Sequence, residues 1–182
     1  MFNRAVLMRA TVAVVVGAVL IVAGCDSDSP DSTPSPTAAV TPPPSPSAGP
    51  EAGAVAAYRG MWDAFVAAAV TSDPDAPEIR KHATDQALRL IVGALVTNRE
   101  QKQVIRGDLV LDPKVTAAKP PQAPTEVTIL DCVNSEKWLE YKVSGGLVDD
   151  KPGGKHRTTA TVKKTNDEWK VNSFILEDSG TC

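Results

Sequence analysis

The chain has 182 residues, a formal charge of −3, 42% hydrophobic residues and three cysteines. Its length suits one domain of ordinary size, which buries roughly two thirds of the unfolded surface on folding. An acidic balance without a clustered basic face excludes nucleic acid as a partner.

The chain begins with Arg4 and Arg9 and an apolar run from Thr11 to Ala23. A basic head, a short apolar core and small residues before a cut form a secretory signal. Val22-Ala23-Gly24-Cys25 resembles the lipobox of bacterial lipoproteins, whose cysteine becomes the lipidated first residue after cleavage. The resemblance implies a signal peptide over residues 1–24, lipid on Cys25, and a protein tethered to the extracytoplasmic side of the cell membrane. An uncleaved anchor is the alternative, although a spanning helix needs about 20 apolar residues and this run is shorter. There is no twin-arginine pair, which favours the general secretion route. Cleavage removes two basic residues and no acid, so the remaining chain carries a charge of −5.

Eight of the fifteen prolines fall between Asp26 and Pro50, among serines and threonines, so residues 25–50 cannot form a core. A Pro-rich segment extends by ~3.1 Å per residue, enough to hold a domain roughly 75 Å from the membrane. With Cys25 lipidated, Cys132 and Cys182 remain as an even pair in an oxidising compartment, which predicts a disulfide between them. A free thiol at Cys132 is the alternative.

The folded domain then spans residues 51–182. Val55, Tyr58, Trp62, Phe65 and Ala69 recur at helical spacing, predicting a helix from Glu51 to Val70 with Glu51 in its first turn. That face suits packing on a sheet, and Tyr58 and Trp62 are also candidates for a ligand pocket. Asp75-Ala76-Pro77 predicts a short second helix with an acidic N-cap, ending near His82. Thr84 is placed as the cap of a third, whose stripe is Ala87, Leu88, Ile91, Ala94 and Leu95, up to Asn98. After Glu100 the period changes to two. Strands are expected over Val104–Leu111, Thr125–Cys132, Lys137–Val143, His156–Lys164 and Glu168–Leu176, with a proline-rich loop at Pro120, Pro121 and Pro124 and a tight turn at Thr165-Asn166-Asp167 before the last strand. Leu139 and Tyr141 are assigned to one face and Trp138 and Glu140 to the opposite, outer one. Trp169 is expected to be largely buried with Val171 and Ile175. Helices followed by strands predict an α+β domain, its N-terminal helices packed on a curved antiparallel sheet of four to five strands.

Several segments in order carry a resemblance: Ala56-Ala57-Tyr58-Arg59-Gly60-Met61-Trp62, His82-Ala83-Thr84, Val104-Ile105-Arg106-Gly107, Asp131-Cys132, Asp167-Glu168-Trp169-Lys170-Val171 and the terminal Cys182. Together they resemble secreted actinobacterial lipoproteins whose domains are similar to the nuclear transport factor 2-like superfamily, with its cystatin-like and ketosteroid isomerase-like cones. The resemblance implies a cone between sheet and helices, with Tyr58, Trp62, Asp131 and Tyr141 as its candidate pocket residues. Enzymes of that superfamily, isomerases and dehydratases among them, place acid-base groups in the cone. Here Asp131, His82, Asp63, Asp85 and Tyr58 are available, but no paired arrangement matches residue by residue. A non-catalytic accessory or binding domain of the cell envelope is therefore expected, with an envelope protein or a small apolar molecule as partner and no cofactor. An isomerase or dehydratase is the alternative. His82 and His156 lie far apart and match no metal-ligand spacing. Lys151, Lys155, Arg157, Lys163 and Lys164 are expected to form solvated charge along a sheet edge.

Overall fold

The structure is a computed structural model and describes residues 49–182. The signal peptide, Cys25 and most of the proline-rich linker lie outside the described residues. Among the described residues no helix is long and apolar enough to cross a membrane.

The first helix, α1 (Ala52–Ala69), begins one residue after Glu51, which stands at the N-cap rather than in the first turn. Ala54, Ala57, Ala64 and Ala68 let its backbone approach the sheet closely, while Tyr58, Met61, Trp62 and Phe65 fill the space between. α2 (Pro77–His82) starts with proline at the position where a missing N–H costs nothing. Its N-cap is Ala76, not Asp75, because the Asp75 N–H is drawn back to Asp73 Oδ1 at 3.0 Å. α3 (Asp85–Glu100) follows Thr84 and buries Ala87, Ile91, Leu95 and Asn98.

Six strands follow: β1 (Gln103–Arg106), β2 (Lys114–Lys119), β3 (Glu126–Asn134), β4 (Leu139–Lys142), β5 (Lys155–Thr165) and β6 (Glu168–Leu176). They form an antiparallel sheet in the order β2-β3-β5-β6 and a separate two-stranded ribbon of β1 and β4. The expected α+β arrangement is present, but its strands are divided between two sheets. β3 alternates strictly, burying Val127, Ile129, Asp131 and Val133. α1 lies against β5 and β6, and α3 against β6 and β1.

Local chemistry accounts for the departures from expectation. β2 replaces part of the expected loop: Pro113 and Pro120 flank it, and an edge strand needs only one side of its backbone paired. β1 stops at Arg106 because Gly107 has φ 106°, and a side chain there would collide with the Lys137 carbonyl. The glycines at 145 and 146, both at positive φ, fold the chain back on β4, with a bridge from Tyr141 to Leu147, instead of leading β4 into β5. Asn166 and Asp167, at φ 51° and 64°, make the tight β5–β6 turn whose twist matches the strands. A bulge opposite Thr161 and Val162 shifts the phase of β6. Val171 and Phe174 therefore both point inward, and Ile175, expected inside, is 67% exposed. The lysines of β5 do not line an edge, since β5 lies between β3 and β6, and Lys163 instead reaches Glu126 across the strands at 3.8 Å.

The outer edge of β6 is partly closed by the segment entering α3. Thr84 N–H donates to the Val171 carbonyl at 2.9 Å. The Gln86 side chain accepts from the Phe174 N–H at 2.9 Å and donates to its carbonyl at 3.0 Å, imitating a neighbouring strand.

Candidate functional site

Between the helices and the two sheets lies a cavity of about 570 Å³. α1 contributes Trp62 and Phe65; α3 contributes Gln86, Leu90, Ile91, Ala94 and Asn98. The ribbon side supplies Ile105, Trp138 and Glu140, and β6 supplies Phe174, Ile175 and Leu176. These residues meet because the helical stripe of α3 and the bulged end of β6 converge on Trp62, the hub of an aromatic cluster. Its ring centroid lies 5.5 Å from Phe174 and 6.2 Å from Phe65, and Phe65 meets Trp138 edge-on at 5.1 Å. Leu90, Ile175 and Leu176 are 46%, 67% and 45% exposed and all line the cavity, so they form its mouth.

A smaller cavity of about 220 Å³ adjoins it and shares the walls at Trp62, Ile105, Trp138, Glu140 and Leu176. Its far wall holds Ser135 and His156, with Oγ and Nε2 3.1 Å apart. The His156 Nδ1 faces the Glu177 carbonyl at 2.9 Å, which puts the proton of the neutral ring on Nδ1. A serine beside a histidine is the pair with which acyl transfer starts. Here Oγ also lies 3.1 Å from both the N–H and the carbonyl of Gly154, contacts that fasten the end of β3 to the start of β5.

Of the four residues expected around a pocket, Trp62 lines the cavity. Tyr58 and Asp131 meet each other instead, in the core between α1 and β3: the Tyr58 hydroxyl donates to Asp131 Oδ2 at 3.0 Å, and the Asp112 N–H donates to Oδ1 at 2.7 Å. Neither residue belongs to the walls of either cavity. Tyr141 faces away on the ribbon, its ring 5.4 Å from the Arg106 guanidinium carbon. Trp138 takes the inner side of that ribbon, the reverse of the expected facing. The ribbon is separate from the main sheet, and the Phe65 ring decides which side is covered. His82 packs on the backbone of Gly60, where a Cβ would come within 2.6 Å of its ring. Cys132 and Cys182 are joined by the expected disulfide. Among the described residues no group of three or more His, Cys, Asp or Glu could hold a metal.

Residues missed by sequence reading include Gln86, Leu90, Glu140, Ser135 and the role of Asn98. One signal was present. Asn98 continues the Ile91–Leu95 stripe at helical spacing, and a polar residue in phase with a buried stripe marks a place where a helix faces something other than its own core.

Burial and the neighbouring Asp131 carboxylate both oppose the Tyr58 phenolate, raising its pKa far above the ordinary tyrosine value. A proton held more tightly in the folded state stabilises it fully below about pH 10, and that contribution declines as pH rises further. The stability advantage of the wild type over Tyr58→Phe is therefore expected to hold up to about pH 10 and to shrink as pH rises above it in urea titrations. A constant difference would show that the hydroxyl is not buried against the carboxylate.

No protein-family model matches the chain, and no curated protein matches it. Among solved structures it is similar to the intermembrane space region of chloroplast protein ARC6, at 12% identity over 68% of this chain and 93% of that one, with TM-score 0.38. It is also similar to a protein of unknown function with a cystatin-like fold from Nostoc punctiforme, at 8% identity over 70% of this chain and 92% of that one, with TM-score 0.41. Likenesses this distant transfer no function.

Proposed function

We propose that this protein is a lipid-tethered, extracytoplasmic binding module without catalytic activity, and that its cavity takes a small, mainly apolar ligand. The cavity of about 570 Å³ carries the reading: it lies within the range of small-molecule sites, and its walls are mostly aliphatic and aromatic with few polar groups. The exposed apolar residues Leu90, Ile175 and Leu176 belong to its mouth, which favours ligand entry over a separate docking face. The non-catalytic reading is supported by Asp131, the buried carboxylate, spending both oxygens on Tyr58 and the Asp112 backbone. The tether rests on the Val22-Ala23-Gly24-Cys25 pattern and the proline-rich stretch after it.

An apolar fluorophore, N-phenyl-1-naphthylamine, is expected to bind saturably. Ala94→Trp, which fills the cavity from α3, is expected to weaken that binding roughly tenfold or more at an unchanged fold. Absence of saturable binding, or equal affinity in the folded variant, would overturn the reading. In cells the wild type is expected in the membrane fraction and Cys25→Ala released or unprocessed. An intact mass with unmodified Cys25 at the N-terminus would remove the tether.

A further inference from the structure

We infer that the ligand is an uncharged amphiphile whose hydroxylated head is held by Asn98 and Glu140, with its apolar portion in the larger cavity; this rests on the binding reading above. Asn98 lines that cavity yet is only 7% exposed. Among the described residues its amide has no side-chain hydrogen-bond partner, whereas the Gln86 amide in the same cavity both donates to and accepts from the Phe174 backbone. The amide is not among the sealed polar atoms, so it is reachable from the cavity, and a group placed against Asn98 can both donate to it and accept from it.

The remaining polar groups define what that head can be. Glu140 lines both cavities and makes no ion pair among the described residues, so its carboxylate accepts hydrogen bonds and repels an anionic head. The indole N–H groups of Trp62 and Trp138 are sealed inside the packed walls and do not offer donors to the cavity. Ser135 and His156 satisfy each other and the adjoining backbone. A fatty-acid carboxylate would meet the Glu140 charge without supplying the donor that Glu140 takes. An ammonium could donate to Glu140 but could not accept from the Asn98 amide. A hydroxyl does both, so a head with more than one hydroxyl can serve both residues.

Two probes with the same acyl chain separate these cases: 1-monododecanoylglycerol and dodecanoate, each displacing N-phenyl-1-naphthylamine from the protein at about pH 8. The glyceride is expected to bind at least roughly tenfold more tightly, the scale of one good hydrogen bond to a charged group. Asn98→Leu should weaken the glyceride roughly tenfold relative to the fluorophore, whose own affinity is measured in each variant, and Glu140→Gln should narrow the preference by improving dodecanoate; a folded Asn98→Leu that keeps the wild-type ratio overturns the inference. Glu140 is exposed, so that variant keeps the test valid if Asn98→Leu fails to fold. Equal or tighter dodecanoate binding, or wild-type preference retained in Glu140→Gln, overturns the inference while the binding reading stands. A wild type that binds neither the fluorophore nor the glyceride overturns both.

Discussion

Trp62→Ala is expected to lower stability by ~3–5 kcal/mol, the usual cost of removing a buried tryptophan and a large share of the ~5–15 kcal/mol that holds a domain together. The residue is 2% exposed and touches the rings of Tyr58, Phe65 and Phe174, so its loss opens a void where α1, β6 and the cavity meet. Trp169, the tryptophan assigned to the core from the alternation of the last strand, is half-buried and lies over Gly53 at the start of α1. Trp169→Ala is therefore expected to cost less than Trp62→Ala. Trp138→Ala should cost more than its assigned outer face implied, because its ring packs on Phe65. Melting followed by circular dichroism gives the order directly. A loss in Trp169→Ala equal to that in Trp62→Ala would mean that the final strand carries more of the core than its burial shows.

Replacing Cys132 and Cys182 together by serine is expected to cost on the order of 4 kcal/mol. The bridge closes a loop of 50 residues, and the restriction it places on the unfolded chain grows with loop length. It also fixes the C-terminal tail against β5. Along that tail the Glu177 N–H donates to the Arg157 carbonyl, the Gly180 N–H to the Lys155 carbonyl, and the Arg157 N–H to Thr181 Oγ1. The Glu177 carbonyl orients His156, so freeing the tail loosens the far wall of the smaller cavity as well. Urea midpoints of oxidised protein and the double serine variant measure the effect. Coincident midpoints would show that the bridge does not constrain the chain.

Much of this protein was legible without its tertiary structure, for reasons that are local. Helical spacing placed α1 and the stripe of α3, strict alternation placed β3, and Asn-Asp placed the β5–β6 turn. Cysteine parity gave the pairing of Cys132 with Cys182, which the structure contains. The edge strand β2, the facing of Trp138 and Ile175, and the membership of the cavity were not legible, because each depends on a neighbour distant in sequence. β2 forms because β3 offers an unpaired side; Trp138 turns inward because Phe65 is there. Ile175 turns outward because one extra residue in β6 reverses the alternation that had placed it inside. Tyr58 and Asp131, which suggested a pocket, lie on elements that close tightly enough for the hydroxyl to reach the carboxylate. The open space forms instead where α3 meets the end of β6 and the β1–β4 ribbon. Periodicity reports which side of an element avoids water, and that property resides in the chain itself; whether the side meets a packed wall or an empty volume is set by the distance between elements, which only the assembled fold determines.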